Sequence, residues 1–172
     1  AALVLPLLLE AQSTATPMAV ASSRQDSAAV ADALQRFLSA FENLDWVPFR
    51  ATFSDSATVF QPAPEMPARV AGPRGIDSTF RAVFANIRAH ATSGPPYQRL
   101  APTNLRIQPL ASGVVLVTFE LRNAERLARR TMVFRHEDAG WRIVHLHASN
   151  LAARPTRAPT SDPPVGVRDP EA

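Results

Sequence analysis

The first half of the chain carries apolar residues at helical spacing. Between residues 28 and 44 they recur every three or four positions, as Val30, Leu34, Phe37, Leu38, Phe41 and Leu44. This spacing predicts an amphipathic helix, with Asp26 or Ser27 as its N-cap. Asp45 is in place to cap a short second helix over residues 46–53.

A strand and a third helix follow in the same half. Residues 57–61 form a short apolar run that predicts a strand, and prolines between positions 62 and 73 indicate an irregular loop. Apolar residues then return to helical spacing as Ile76, Phe80, Val83, Phe84 and Ile87. The helix that they predict ends near His90, because the following Ser-Gly-Pro-Pro segment cannot continue it.

The second half of the chain has the pattern of strands. Residues 105–110, 114–121, 127–136 and 141–149 are rich in β-branched and aromatic side chains, and the links between them are short enough for hairpins. Helices followed by a four-strand antiparallel meander predict the α+β class. A sheet that curls around its longest helix would leave a cavity, so we expect a cone-shaped roll with the helices packed on a curved antiparallel sheet.

The N-terminal residues have the features of a targeting segment. Residues 1–9 are an apolar run too short to span a bilayer, and Ala-Val-Ala at positions 19–21 matches the small-residue pattern of a cleavage site. We therefore interpret residues 1–21 as a signal-peptide remnant and residues 22–26 as a linker. This predicts a periplasmic or secreted bacterial protein; the alternative is a disordered start with a chance apolar patch.

The C-terminal residues have a different composition from the rest. Residues 152–172 contain five prolines among small and charged residues, which predicts a disordered tail. A single folded domain over residues 27–151 remains between the two ends.

The composition excludes several kinds of site. The 172 residues include no Cys, which excludes disulfides, thiol nucleophiles and cysteine-held metals. All 18 basic residues are Arg against 15 carboxylates, and a net charge of +3 scattered along the chain predicts neither a nucleic-acid partner nor, after signal cleavage, a membrane partner. Dinucleotide-binding and phosphate-loop motifs are missing from the sequence, so we expect no cofactor.

Local phrases across residues 27–151 resemble the nuclear transport factor 2-like superfamily, which includes SnoaL-like proteins and ketosteroid isomerases. They are NLDW at 43–46, FSDSATVF at 53–60 and the helix start Gly75-Ile76. The closing phrase WRIVHLHAS at 141–149 resembles the association (hub) domain of calcium/calmodulin-dependent protein kinase II. The resemblance implies a cone-shaped fold that dimerises through its sheet and holds a small molecule.

The sequence differs from the hub domain at the pocket positions. That domain has a pocket with three arginines, a site for small carboxylates. When the sequences are aligned on Trp141, those positions hold Glu120, Met132 and Ala148 here. The anion pocket is therefore not carried over, and Met132 and Ala148 are expected to line a cavity for a less polar ligand.

Glu120 is the predicted catalytic base. Alternation along its strand puts it on one face with Leu116 and Thr118. If that face lines the cone, apolar walls would raise the carboxyl pKa and allow Glu120 to take a proton next to a carbonyl group. The alternative is a carboxylate in water or paired with a neighbouring arginine.

Other polar and aromatic residues complete the predicted site. Asp55 is the predicted catalytic partner, since the resemblance places a polar cavity residue there; the alternative is a turn before the strand. Trp46, Phe60 and Phe84 are expected to line the ligand pocket, although aromatic residues at such spacing more often belong to a core.

Two further groups are a pair of histidines and a cluster of arginines. His145 and His147 lie two positions apart and would share a strand face with Trp141, Ile143 and Ser149, so we interpret the group as structural or as an interface. A third metal ligand would have to be His136, His90 or a carboxylate, and because no pattern fixes one, no metal is expected. The cluster consists of Arg126, Arg129 and Arg130. It is interpreted as a solvated sheet edge, with an anion site as the alternative.

Together these features predict an exported SnoaL-like domain that binds a small apolar or weakly polar ligand. If it is an enzyme, the expected chemistry is cofactor-free acid–base chemistry such as isomerisation, cyclisation or hydration. The alternative is a non-catalytic, hub-type oligomerisation module in which the face of His145, His147 and Ser149 meets other subunits. In both cases we expect a homodimer or a higher homo-oligomer.

Overall fold

The described residues form three helices and six strands. The computed structural model describes residues 17–62, 66–122 and 126–152. The elements are α1 (Pro17–Asn43), α2 (Trp46–Ala51), β1 (Phe53–Phe60), β2 (Arg69–Ala71), α3 (Gly72–His90), β3 (Thr103–Ala111), β4 (Val114–Arg122), β5 (Arg126–Glu137) and β6 (Gly140–Ala152). Within these ranges no helix combines the length and the apolar character needed to cross a bilayer.

The strands form one mixed sheet in the order β2-β1-β6-β5-β4-β3. Strands β3 to β6 make the predicted antiparallel meander, which confirms the α+β fold. The sequence did not predict the three-residue strand β2 or the parallel pairing of β1 with β6. The sheet is therefore mixed rather than purely antiparallel.

The first helix is longer than its apolar spacing predicts. It begins at Pro17, so it includes the predicted linker and the end of the predicted signal segment. The signal peptide and its cleavage stay predictions: residues 1–16 lie outside the described residues, as do residues 153–172 of the predicted tail. The second helix is slightly shorter than expected, because it ends at Ala51 and β1 begins at Phe53.

The turn that ends α1 has specific geometry. The Asp45 N–H donates to the Ala40 carbonyl at 2.8 Å and the Leu44 N–H to the Phe41 carbonyl at 3.1 Å, the two bonds of a Schellman motif. Leu44 adopts the left-handed conformation with φ of 54°. A leucine there is disfavoured by about 1 kcal/mol relative to the right-handed region. Its side chain is 3% exposed, and this burial offsets the cost.

The helices pack on one face of the sheet around a cluster of aromatic rings. Phe49 of α2 is fully buried at the centre of this cluster. Its ring centroid lies between 4.9 and 6.1 Å from the rings of Phe37, Phe41, Trp46, Phe53, Phe80 and Phe84. We call this side of the sheet the inner face and the opposite side the outer face.

A bulge in β6 changes which residues face the helices. Ile143 pairs with Phe134 and His145 with Val133, so Val144 is an extra residue between the two pairs. The extra residue shifts the alternation by one position. Ile143 is consequently buried on the inner face, whereas His145 lies on the outer face. The expectation that the two share a face is wrong.

Candidate functional site

A cavity of about 190 Å³ lies between the helices and the inner face of the sheet. Most of its wall is apolar. The apolar lining residues are Phe37, Leu38 and Phe41 from α1, Phe80 and Val83 from α3, Val59, Phe119, Leu121, Leu146 and Ala148 from the sheet, and Pro62, Met66 and Leu100 from loops. The helices and curved sheet thus enclose the cone-shaped space that the element order predicted.

The polar part of the cavity is organised by the register of the sheet. Arg130 of β5 pairs with Phe119 on one side and with Ala148 on the other, so the three side chains form one row on the inner face. Phe60 of β1 pairs with His147, and Gln61 is the next residue. The parallel register therefore brings Gln61 beside Ala148 at the end of the same row.

Arg130 is a partly buried cation at this cavity. Its Nη1 donates to the backbone carbonyls of Arg129 at 2.8 Å and Ser149 at 3.3 Å. Burial lowers the pKa of the guanidinium below its ordinary value. No carboxylate in the described part of the chain lies within ion-pair distance of it. Among the described residues, only the carbonyl dipoles of Arg129 and Ser149 stabilise this charge through hydrogen bonds.

Two glutamines complete the polar lining. The side-chain Nε2 of Gln61 is buried and has no hydrogen-bond partner among the described residues. Gln98 approaches from the loop that follows α3, where its backbone N–H donates to the Glu42 carbonyl at 3.4 Å. The cavity therefore combines an apolar body with a small number of hydrogen-bond donors.

Glu120 lies outside this cavity. The burial of Val115, Val117 and Phe119 shows that these residues occupy the inner face of β4, so Glu120 is on the outer face. There its Oε2 accepts a hydrogen bond from Asn104 at 2.8 Å and lies 3.8 Å from Arg122. The premise for its predicted role as base, that its face lines the cone, is wrong; the alternative of a paired surface carboxylate describes it.

Asp55 is also remote from the cavity. Its carboxylate is exposed and pairs with Arg50 at 2.7 Å, while Arg50 also binds Asp77 at 2.8 Å. It lies at an open polar depression beside Ser54 and Glu137. The structure does not bring Asp55 and Glu120 together, so they do not form a catalytic pair.

Of the predicted ligand-binding residues, only Ala148 lines the cavity. Trp46 and Phe84 belong to the aromatic cluster, where the Arg81 guanidinium lies 4.1 Å from the Trp46 ring. Met132 is fully buried in the core, where it pairs with Val117 and Leu146 in the sheet. Phe60 is on the outer face and 40% exposed. The alternative that these aromatic residues are core is correct for Trp46 and Phe84.

The predicted structural or interface group is divided between the two faces. His145, His147 and Ser149 are on the outer face, where His145 Nδ1 lies 2.8 Å from Thr58 Oγ1 and both imidazoles pack edge-on against Phe60. Trp141 is on the inner face, against the core and the His136 ring. Among the residues that the structure covers, no three His or carboxylate side chains are grouped to hold a metal ion.

A larger depression exists but does not enclose a ligand. It has a volume of about 800 Å³ and lies between α1, α2 and the β5–β6 hairpin. Its α1 wall consists largely of exposed polar side chains: Asp32, Gln35, Arg36 and Ser39. The smaller cavity is the better candidate site because it is apolar and lies inside the fold.

Arg130 and Gln61 are the site residues that sequence reasoning missed. Arg130 was assigned to a solvated edge, although it lies two positions before Met132, a predicted cavity residue, and alternation puts both on one face. That signal was available. For Gln61 there was none, because its place depends on the parallel pairing of β1 with β6.

Solved structures of low sequence identity share this fold. A proposed dehydratase of the nuclear transport factor 2-like family from Streptomyces avermitilis is 20% identical, with a TM-score of 0.59 over 76% of this chain and 99% of that one. A protein with a cystatin-like fold from Caulobacter vibrioides is 13% identical, with a TM-score of 0.59 over 74% and 90%. A proposed calcium/calmodulin-dependent protein kinase type II association domain from Thiobacillus denitrificans is 23% identical, with a TM-score of 0.54 over 69% and 92%.

These similarities support the fold alone. Among functionally curated proteins, none matches the chain. The profile of the SnoaL-like domain, in contrast, matches residues 30–153, which include α3, all six strands and most of α1. The chain therefore belongs to the SnoaL-like domain family.

Proposed function

We propose that this SnoaL-like domain binds a small, largely apolar molecule in its cone cavity, and that the cavity serves binding rather than acid–base catalysis. The observation that carries the proposal is the composition of the wall. Among the described lining residues there is no carboxylate and no imidazole, and the polar ones are Arg130, Gln61 and Gln98. General acid–base chemistry needs a group that exchanges a proton near neutral pH, which arginine and glutamine do not supply.

The volume of the cavity limits the size of the ligand. A dry apolar cavity of about 150 Å³ in another protein is known to take benzene. At about 190 Å³, the present cavity has room for one ring, or a short branched chain, together with a small polar group. Anything larger would extend beyond the enclosed space.

Binding of a small, fluorescent apolar probe tests the proposal. The full chain is titrated with the probe, and Ala148→Phe is compared with Ala111→Phe. Ala148 is 7% exposed and lines the cavity, whereas Ala111 is exposed at the end of edge strand β3. We expect the phenyl group at position 148 to fill the cavity and to abolish probe binding, while Ala111→Phe binds as the wild type does.

A second cavity variant keeps the test decisive if Ala148→Phe does not fold. Val83 of α3 is only partly buried, so Val83→Phe narrows the cavity with less disturbance of the sheet. Circular dichroism and thermal unfolding establish that each variant is folded. Unchanged probe binding in both folded cavity variants would contradict the proposal.

Self-association through the outer face is a second proposal. On this face Phe60 is 40% exposed and Leu151 is 44% exposed, with His147 between them in the register. One structural neighbour is named an association domain. We expect light scattering to detect a homodimer or larger oligomer that Phe60→Glu dissociates and Leu110→Glu, on edge strand β3, leaves intact. A wild-type monomer would overturn this proposal.

Export is the third part of the proposed function. It rests on the apolar run and the Ala-Val-Ala pattern within residues 1–21. Expression of the protein with this segment intact, followed by cell fractionation and determination of the mature N-terminus, tests it. Cleavage after Ala21 and recovery outside the cytoplasm are expected, and an intact N-terminus in the cytoplasm would contradict it.

A further inference from the structure

We infer that the ligand is a small monocarboxylic acid: its apolar body fills the cone, and its carboxylate is bound by Arg130 with Gln61 beside it. This inference rests on the proposed binding function and specifies the chemical class of the ligand. It also assigns a ligand-binding role to Arg130, one member of the arginine cluster that is interpreted from the sequence as a solvated edge.

The hydrogen bonding of Arg130 leaves donors free. A guanidinium has five N–H donors in a planar fork that matches a carboxylate. Only Nη1 donates to described residues, and both acceptors are neutral carbonyls, of Arg129 and Ser149. The Nε and Nη2 groups make no hydrogen bond to another described residue. A bound carboxylate would occupy them and supply the missing counter-charge.

The environment of Arg130 increases the stabilisation that such a counter-charge would provide. The side chain is partly buried, and its neighbours in the sheet row are Phe119 and Ala148. An unpaired charge in such surroundings is costly, and an ion pair there is screened less than one at the surface. The protein therefore keeps a charged site that a ligand anion would neutralise.

Gln61 supplies a second, independent observation. Its Nε2 lacks a hydrogen-bond partner although it is buried, and the residue lines the same cavity. The small side chain of Ala148 separates it from Arg130 in the row. One carboxylate positioned above Ala148 would face the guanidinium on one side and the amide on the other.

The rest of the wall limits the acid to a single charge. Arg130 is the one cationic side chain among the described lining residues, and the remainder, apart from the two glutamines, is apolar. A second carboxylate would have to be buried against phenylalanine and leucine side chains without a partner, which is strongly unfavourable. A dicarboxylate or a phosphorylated ligand is therefore excluded from the enclosed part of the cavity.

Matched acid–amide pairs test the inference. The full chain is titrated with phenylacetate and hexanoate and with their uncharged primary amides, which have nearly the same shape. Because a hydrogen bond to a charged group is stronger than one to a neutral group, we expect each acid to bind about tenfold or more tightly than its amide. The fluorescent apolar probe reports whether the cavity is accessible in every sample.

The variants compare two neighbouring arginines. Arg130→Met retains the length and apolar stem of the side chain, and Arg129→Met makes the same change at an exposed position of the same strand. Arg130→Met should lower the affinity for the acids about tenfold or more and leave the amides almost unchanged. Arg129→Met should leave the acid preference intact.

Failure of this inference is distinguishable from failure of the proposed function. Equal binding of acids and amides, or binding of the apolar probe with no binding of either acid, would overturn the carboxylate assignment and leave the binding function standing. An unchanged acid preference in folded Arg130→Met would also overturn it. Exclusion of the probe, the acids and the amides alike would overturn both. If Arg130→Met does not fold, the wild-type acid–amide comparison still decides the question.

Discussion

Arg130 of β5 is the direct cross-strand partner of Ala148 of β6, and the Ala148 methyl group stands between the guanidinium and Gln61. The smallest chiral side chain is thus at the position where a larger one would fill the polar side of the cavity. Arg130 and Ala148 come from neighbouring strands and Gln61 directly follows β1, so only the assembled sheet brings the three residues into one row.

Replacement of Gln61 should separate stability from binding. In Gln61→Leu the buried, unpartnered amide is lost while the apolar volume is retained, so we expect the free energy of unfolding to stay equal or rise by about 1 kcal/mol. Affinity for the monocarboxylic acids should fall. Urea denaturation and acid titration measure the two effects. Gln108→Leu, at an exposed position of β3, is the control; a clear loss of stability at position 61 would show that the amide is satisfied.

Phe49 should be among the most costly residues to truncate. It is fully buried and contacts aromatic rings from α1, α3 and β1. Phe49→Ala is expected to lower the free energy of unfolding by about 3–5 kcal/mol, because it removes buried surface and leaves a cavity. Val47→Ala, on the same helix at a residue 78% exposed, should change it by less than about 0.5 kcal/mol. Similar losses in both variants would mean that α2 does not anchor the core.

Glu137 should contribute to resistance to acid. Hydrogen bonds from Arg135 and from Ser54 hold its carboxyl pKa below the ordinary value. The folded state therefore favours the carboxylate, so this contribution is present above the ordinary pKa of a glutamate and is lost as the pH falls through the lower folded value. Between about pH 5 and 3 the wild type should lose stability more steeply than Glu137→Gln. Asp138→Asn, at the adjacent exposed turn, should retain the wild-type slope.

His145 should make stability fall at mildly acidic pH. Burial lowers its imidazole pKa, and the nearby charge of His147 lowers it further. Since the unfolded chain takes up a proton first, stability is full above about pH 6.5 and declines as the pH falls toward the lower folded pKa. Unfolding measured from pH 7.5 to 5 should show a shallower decline in His145→Gln than in the wild type. His90→Gln, at the exposed end of α3, should behave as the wild type; identical curves for all three proteins would contradict the prediction.

Local periodicity predicted most of the elements, because each is amphipathic over its own length. The meander β3 to β6 and helix α3 lie close to their predicted positions. Strand β2 was missed because three residues are too few to show a period. The bulge at Val144 was missed because an extra residue in one strand is defined only by its partner strand.

The prediction of the site depends on which face of the sheet points toward the helices. The alternation in β4 separates two faces, and the prediction that Glu120 is the base requires its face to be the inner one, although Val115, Val117 and Phe119 form the more apolar set. Choosing the more apolar face as inner would have removed Glu120 and, through the neighbouring strand, indicated Arg130. The place of Gln61 depends on a pairing between distant segments, which no local pattern reports.

The parallel pairing of β1 with β6 also determines when the domain can assemble during synthesis. One edge of β1 has no ladder partner until the last strand leaves the ribosome, because β6 lies between β1 and β5. Helices α1 to α3 are synthesised before β6, and in the folded domain part of the apolar surface of α1 packs against β4 and β6. Until β6 is synthesised, Val59 therefore lacks Leu146, its partner in the folded sheet, and this edge of β1 is open to chaperones or to strands of other chains.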